Sequence, residues 1–421
     1  MPASPYTSPL AESLAPGVRE RLLRYAAVGT PAVPGVQTRP SNPAQLELSR
    51  MLAAECEQLG MVDVTCDEQG YVMATVPASA GAEDRPAIGF MAHVDTSPDA
   101  PGTVVRPLLH EAYDGGVLTL PEGHTVLDPA TMPDLGLLVG HQLITSSGDS
   151  LLGADDKAGI AAIMSAAELL LRDPALPRPP LRLAFTVDEE IGKGAYDFPL
   201  ERYGATCAYT IDGAKIGEFH DETFSAAAVT ATFTGVDIHP SVAKGKLVNA
   251  LRVAADFVGR LPRDRAPETT DGRDGFLHPV AVGGGSSVAV VQLIVRDFDE
   301  ALLAGHIEAA RAAADAAVAA FPGASVTFES EAQYPNMRRF VQPHPEVSRR
   351  ALEAIRAEGI EPIHAPVRGG TDGSILSERG LPTPNIFTGS GESHSVREWA
   401  SVPWMAAAAA VIVHLAGLWA E

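Results

Sequence analysis

The 421 residues exceed what one ordinary core holds; at about 150 residues per domain, two or three domains are expected. An apolar fraction of 46% with a mean hydropathy of +0.06 describes a soluble globular chain. Thirty-one basic against 53 acidic residues leave a net charge of -22 without a long single-sign run, which argues against nucleic acid and anionic membrane as partners, since both call for a basic face.

Taken from its start, the chain is rich in Pro, Ser and Ala from Met1 to Leu14, with neither a cationic start nor an apolar stretch, so it reads as a frayed tail and not a signal peptide. Pro16 to Val28 reads as a first helix. Ser41 is expected to cap a second, in which Leu48, Leu52 and Leu59 recur at helical spacing before Gly60 stops it. A strand is expected at Tyr71 to Pro77. Ala87 to Asp95 is a continuous apolar run ending in His-Val-Asp, the pattern of a buried parallel strand whose carboxyl end carries chemistry. Ser97 to Gly148 is loop-rich, and a connection this long is either functional or carries small strands of its own.

Leu151 to Glu190 organises the rest. It opens with Leu-Leu-Gly-Ala-Asp155-Asp156-Lys157, runs through an apolar helix, and closes on a strand ending in Asp188-Glu189-Glu190, so carboxylates cluster at both ends of one unit. Thr206 to Ile211 forms another strand before Asp212-Gly213. This alternation implies an α/β fold, a mostly parallel twisted sheet flanked by helices. The pattern then changes: a half-polar strand at Phe224 to Thr234, a helix at Leu247 to Leu261, a strand at Val288 to Asp297, an Ala-rich helix at Glu300 to Phe321 and a strand at Ser325 to Glu329. A β-α-β-β-α-β sandwich, an inserted ferredoxin-like α+β domain, fits that stretch. The first domain resumes with a helix at His344 to Glu358, the loop Arg368-Gly-Gly-Thr-Asp372-Gly, a strand at Pro384 to Phe387, the segment Gly391 to Glu398 and a last helix. The expected division is residues 1–222 with 333–421 as one domain and 223–332 as the insertion.

No apolar run approaches the ~20 residues of a membrane span, and the Ala-rich Met405 to Leu418 is too short for one. Cys56, Cys66 and Cys207 stand apart with no C-x-x-C pair, which supports neither a disulfide framework nor a thiolate zinc site. A cytoplasmic enzyme is the expectation.

Open α/β sheets place ligands outside the carboxyl ends of their strands, and the acidic groups here collect at such ends. Unpaired carboxylates crowded there repel one another and need a cation; oxygen-rich sites with a few histidines suit zinc, manganese or cobalt. His93 and Asp95, two apart on a strand, leave on one face, where the carboxylate can accept the far N–H of a metal-bound imidazole. Asp155 at a helix start could bridge two cations with the helix amides holding it, while Asp156 reads better as an N-cap and Lys157 as solvated. Glu189 and Glu190 are adjacent and, in extended backbone, point to opposite sides, one to bind metal and one to act as acid/base. From those two alone, an acidic loop facing solvent is the better reading. Asp212 is either a ligand or the first residue of a turn. His394, with Glu398 four residues on, lies in a Gly/Ser-rich loop. The weight comes from five strand ends delivering zinc-type ligands to one crevice.

The chain resembles the dinuclear zinc aminopeptidases of the peptidase T (tripeptide aminopeptidase) type, which belong with the glutamate carboxypeptidase and aminoacylase relatives. Ala87-Ile-Gly-Phe-Met-Ala-His-Val-Asp-Thr-Ser-Pro98, Leu151-Leu-Gly-Ala-Asp-Asp-Lys-Ala-Gly-Ile160 and Asp188-Glu-Glu-Ile-Gly-Lys-Gly-Ala195 carry the likeness to dizinc peptidases generally. Val295-Arg-Asp-Phe-Asp299, Tyr334-Pro-Asn-Met-Arg338, Arg368-Gly-Gly-Thr-Asp-Gly373 and Pro384-Asn-Ile-Phe-Thr-Gly389 narrow it to peptidase T. The likeness runs from about Gly17 to the last helix.

The resemblance implies two Zn2+ per subunit, with Co2+ or Mn2+ as substitutes. Asp155 would bridge them, His93 and Asp212 completing one site and Glu190 and His394 the other. Asp95 would support His93 and Glu189 would be the general base. His239 matches a lid histidine that helps hold the reacting carbonyl oxygen, sometimes from a partner subunit. Arg296 and Arg368 match positions facing the substrate, where a guanidinium clamps a carboxylate; pairing with Asp297 or Asp372 is the plainer alternative. The implied substrate is a short peptide with a free N-terminus, and the lid is offered as a homodimer surface although no apolar stripe demands one. A dipeptidase, carboxypeptidase or N-acyl amino acid deacylase on the same scaffold, and an inactive peptide-binding homologue, are the alternatives. The chain departs from the family pattern at Asp212-Gly-Ala214, where Asp-Gly-Gly is usual, at His239-Pro-Ser-Val, where His-Pro-Gly-Thr is usual, and around His394, where Ser-His-Ser-Val-Arg-Glu replaces His-Gly-Lys-His-Glu. The ligands survive each departure.

Overall fold

The structure, a computed structural model, describes residues 4–421. Helix α1 spans Pro9–Ala26, with the Ser8 side chain accepting the Ala11 N–H as its cap. Apart from its first three residues, which lie outside the described ones, the stretch read as a frayed tail is therefore largely helix. Ala11, Leu14 and Ala15 are buried beside Val18 and Leu22, and tertiary burial of that face outweighs the Pro- and Ser-rich composition. Helix α2 (Gln45–Leu59) starts without a side-chain cap; Ser41, expected in that place, turns instead to Asp188. Gly60, at φ 86°, closes it as the sequence implied.

The main elements then follow as β1 (Val62–Cys66), β2 (Val72–Val76), β3 (Ile88–His93), α3 (Ala154–Arg172), β4 (Leu181–Thr186), β5 (Cys207–Gly213) and β6 (Glu218–His220). Next come β7 (Ser225–Thr234), α4 (Ala250–Arg260), β8 (Phe276–Gly284), β9 (Val288–Asp297), α5 (Glu300–Ala320) and β10 (Ser325–Tyr334). The chain ends through α6 (Pro345–Ala357), β11 (Ile363–His364), β12 (Asn385–Phe387) and α7 (Val402–Ala420).

The chain divides into two compact units. The first comprises the residues up to Asp221 with Arg339–Ala365 and Thr371–Glu421. Its eight-stranded sheet has the order β1-β2-β4-β3-β5-β12-β6-β11. The four central strands β4, β3, β5 and β12 run parallel, while the β1/β2, β2/β4 and β12/β6 pairings are antiparallel. Every residue of β2 and β3 is buried, so the sheet is covered on both faces there, which is why these strands read as unbroken apolar runs. The register sets His93 opposite Thr186 and Met91 opposite Thr210, so His93, Asp212 and the turn after Thr186 leave the sheet at one edge. A second, four-stranded sheet joins Leu108–His110 and Leu143–Thr145, from the long connection, to Ser390–Gly391 and Trp399–Ser401. The hairpin between those last two strands carries His394 and Glu398.

The second unit, Glu222–Arg338 with Pro366–Gly370, is the β-α-β-β-α-β sandwich that the strand and helix alternation suggested. Its antiparallel sheet has the order β8-β9-β7-β10. Val229 and Phe233 of β7 and Val291 of β9 pack with Phe257 of α4 and Ala314 of α5.

Helix α7 corrects the sequence reading. It extends to 19 residues and by length and composition could cross a bilayer, yet 83% of its most apolar window is buried inside the protein. Its apolar surface is accounted for by packing on α1, α3 and α6. Ala409, fully buried in the middle of α7, provides the check. Ala409→Glu should cost on the order of 3–5 kcal/mol as an uncompensated buried charge, measured as a lower urea midpoint followed by circular dichroism.

Candidate metal centre

His93 ends β3 almost completely buried. Its Nδ1 lies 3.0 Å from the Asp95 carbonyl oxygen and 3.5 Å from the Asp95 carboxylate, so the backbone carbonyl is the nearer partner. Its Nε2 lies 3.0 Å from Asp155 Oδ1 and 3.7 Å from Asp212 Oδ1. On the other side of Asp155, His394 Nε2 lies 2.9 Å from Glu190 Oε2 and 3.5 Å from Asp155 Oδ2, and its Nδ1 lies 3.4 Å from Asp99 Oδ2. The two oxygens of Asp155 thus address different histidines, the arrangement a bridging carboxylate needs.

The titration behaviour has a common physical cause. Burial disfavours the His93 imidazolium, but its hydrogen bonds to Asp155, Asp212 and Asp95 raise its pKa well above the ordinary value. Hydrogen bonds to Asp155 and Glu190 push His394 up to about 11. Burial raises Glu190 to about 7 and Asp212 to about 6. Burial also works against Asp155, yet its bonds with His394 and His93 hold it well below the usual carboxylate range. Each imidazole thus stands between carboxylates that raise its affinity for positive charge. Glu190 Oε1 and Asp156 Oδ1 are buried with no hydrogen-bond partner. One ligand atom each from His93, Asp155 and Glu190, and again from His93, Asp156 and Asp212, come within 4.8 Å of one another. Imidazole nitrogens with several carboxylate oxygens, some left without partners, fit divalent metal.

Asp156 and Lys157 differ from expectation. Asp156 is no N-cap: it is fully buried, and its Oδ2 accepts the His93 backbone N–H at 3.2 Å. Lys157 is buried too, donating to the Val28 carbonyl at 2.8 Å, and burial pulls it down to about 7. Nor do helix amides hold the Asp155 carboxylate, because Asp155 and Asp156 have non-helical backbone angles. The loop is held by Glu398, whose carboxylate accepts the N–H groups of Leu152, Gly153 and Asp155 at 2.8, 2.6 and 2.9 Å. Its place four residues after His394 is the one local signal of this role.

Glu189 and Glu190 occupy a 3-10 turn, Glu189–Ile191, and not extended backbone. Asp95, fully buried, accepts both of their backbone N–H groups at 3.1 Å, one on each oxygen. Glu190 thereby faces His394, whereas Glu189 Oε1 accepts the Asp372 N–H at 3.2 Å. Burial raises the Glu189 pKa well above its ordinary value. Asp372, itself pushed up to about 7 by burial, accepts the Thr186 hydroxyl at 2.7 Å.

His239, Arg296 and Arg368 belong to the second unit. His239 is exposed and caps the short turn Pro240–Val242; its Nδ1 accepts the Ser241 N–H at 3.2 Å, which leaves the ring proton on Nε2. Neither arginine makes the carboxylate pair considered for it. Arg296 donates to the Ala227 and Val295 carbonyls and lies over the Tyr334 ring, while Asp297 pairs with His306. Arg368 donates to Thr270 Oγ1 and the Gly272 carbonyl and lies over Phe224 and Phe276.

The profile of the peptidase family M20/M25/M40 matches residues 152–417. A protein named Peptidase T from Bacillus velezensis is 44% identical over 403 residues, covering 96% of this chain and 98% of that one. A Peptidase T from Vibrio parahaemolyticus is 44% identical over 402 residues with the same coverage. Among solved structures, a tripeptidase from Staphylococcus aureus aligns with a TM-score of 0.75 at 19% identity over 96% of this chain and 98% of that one. The aminopeptidase PepT from Bacillus cereus aligns with a TM-score of 0.73 at 22% identity, over 97% and 99% respectively. At those identities the structures speak for the fold.

Glu398→Gln tests the support of Asp155. The introduced amide must turn its NH2 toward at least one of the three N–H donors, so Zn2+ affinity should fall by about tenfold or more, measured by competition with a chromophoric chelator, with the circular dichroism spectrum unchanged.

Proposed function

The chain belongs to the peptidase family M20/M25/M40 and is a peptidase; within that family we propose a metal-dependent aminopeptidase that releases the N-terminal residue of tripeptides. The observation that carries the proposal is the division of labour between two adjacent glutamates. Glu190 joins the cluster of His93, Asp155, Asp212 and His394, while Glu189 stays outside it, half-buried and with its pKa raised well above the ordinary carboxylate value. Relatives named Peptidase T at 43–45% identity support the substrate class.

In this reading His93, Asp155 and Asp212 hold one divalent ion and Asp155, Glu190 and His394 the other, zinc by preference with Co2+ or Mn2+ as substitutes. Such ions, when bound, polarise a peptide carbonyl and make water a nucleophile at neutral pH. Glu189 Oε1 is occupied by the Asp372 N–H, which leaves Oε2 to take the proton of the attacking water and return it to the leaving amine. Asp95 orients both glutamates through their backbone and His93 through its ring. His239, with its proton on Nε2, is proposed as a donor to the carbonyl oxygen, and Arg296 and Arg368 as the groups facing the substrate carboxylate. Cytoplasmic residence belongs to the same proposal, supported by three unpaired thiols, Cys56, Cys66 and Cys207.

The test is release of the N-terminal residue from a free-amine tripeptide, run beside the matching dipeptide, tetrapeptide and N-acetylated tripeptide. Cleavage of the free tripeptide alone, lost with chelator and restored by zinc, is the expected outcome; cleavage of the blocked peptide would make the protein a deacylase. Glu189→Ala should keep its metal and lose about 10²- to 10⁴-fold in kcat; near-normal turnover would remove Glu189 from the base role.

A further inference from the structure

We propose that Gln45, at the start of α2, is a positioning residue that fixes the Glu189–Glu190 turn through Asp188. The inference rests on the peptidase reading and concerns residues to which that reading gives no task.

Asp188 stands immediately before the two glutamates in the left-handed region at φ 59°, a conformation that a non-glycine residue keeps only when its surroundings impose it. The surroundings are Ser41 and Gln45. Asp188 Oδ2 accepts the Ser41 N–H at 2.7 Å, and Oδ1 accepts the Ser41 hydroxyl and the Gln45 side-chain amide, the latter at 2.8 Å. Gln45 closes the pair from its other end, its Oε1 accepting the Asp188 backbone N–H at 3.2 Å. Gln45 and Asp188 are fully buried and Ser41 nearly so. A carboxamide in this place therefore grips both the side chain and the backbone of the residue that launches the turn.

The turn is held again on its far side. Asp95 accepts the N–H groups of Glu189 and Glu190, Lys193 N–H donates to the Asp188 carbonyl at 2.9 Å, and Lys193 Nζ reaches the Val36 carbonyl at 2.8 Å. Asp95 alone fixes two amides but leaves the direction of approach from β4 free; Gln45 and Ser41 fix that approach. Both glutamates depend on the result, since a shift of the turn moves Glu190 from His394 and Glu189 from the Asp372 N–H together. Misplacement of reacting groups by an ångström is enough to cost rate without changing what binds.

The chemistry of the pair offers a reciprocal test. Gln45→Glu sets a second carboxylate against Asp188 and removes the amide donor. Combined with Asp188→Asn, every bond can re-form with donor and acceptor exchanged: the introduced amide nitrogen donates to the new carboxylate and to Ser41 Oγ, its oxygen accepts the Ser41 N–H, and the backbone N–H at 188 keeps an acceptor. In the zinc-loaded full-length protein, Gln45→Glu should lower kcat for the tripeptide by about tenfold or more with KM within about threefold, and the double variant should recover most of the loss. Zn2+ affinity, by chelator competition, should fall and recover in the same pattern. Gln45→Met, which cannot hydrogen-bond but fills the space, should act like Gln45→Glu and keeps the test valid if that variant misfolds. A folded Gln45→Met with wild-type kcat and Zn2+ affinity overturns the inference, as does a double variant no better than the single one. Wild-type protein that does not cleave the tripeptide at all overturns the peptidase reading instead, and the Zn2+ affinities of the variants still decide the role of Gln45.

Discussion

Mutual repulsion among carboxylates in a desolvated crevice is the constraint on which the rest of this structure depends. Asp95, Glu189, Glu190 and Asp212 lie at or just past the ends of β3, β4 and β5, Asp155 and Asp156 open α3, and Asp372 opens the short helix Asp372–Glu378; burial raises the proton affinity of five of these seven. Water screens such charges poorly at that depth, so positive charge has to enter with them. The acids around His93 and His394 raise the affinity of both imidazoles for a proton. Divalent cations in the same positions would satisfy the acids better than imidazolium does, because one ion addresses several oxygens at once.

The site solves the same problem a second way, with backbone dipoles. Glu398 takes three main-chain N–H groups, Asp95 takes two, and Asp188 takes one together with a hydroxyl and an amide. These carboxylates are engaged by backbone donors, and what they do is hold the loops that present the other acids. The acids differ in partner, and Asp156 stands between the two groups, one oxygen on the His93 N–H and the other without a donor. Asp155, Glu190 and Asp212 keep oxygens pointed at histidines or left without a donor, and those are the ones assigned to metal.

This sorting explains where the sequence could be read and where it could not. Ile88–His93 and Leu181–Thr186 announce themselves because strands buried on both faces need unbroken apolar runs, and the chemistry-bearing residues follow each run directly. The insertion is legible for the same kind of reason, since its strands alternate buried and half-exposed positions where the first sheet does not. Asp156, Lys157, Ser41 and Glu398 were misjudged or passed over because their neighbours are remote in sequence: nothing local to Lys157 foretells a buried bond to Val28, and nothing around Ser41 foretells Asp188. Pro9–Leu14 reads as frayed chain from its composition, yet packing of α1 on α3 and α7 makes it the first part of a helix.

In the proposed reading, chemistry and selection fall to different units of the chain. Every residue assigned to metal or to proton transfer, and every residue that fixes those in place, lies in the first unit, where short hydrogen bonds lock the geometry. His239, Arg296 and Arg368 lie in the second, which has its own core around Val229, Phe233 and Phe257. Departures from the family pattern fall in both units, at Ser241 and Val242 beside His239 in the second and at Ala214 and around His394 in the first, while the residues assigned to metal keep types that can ligate it.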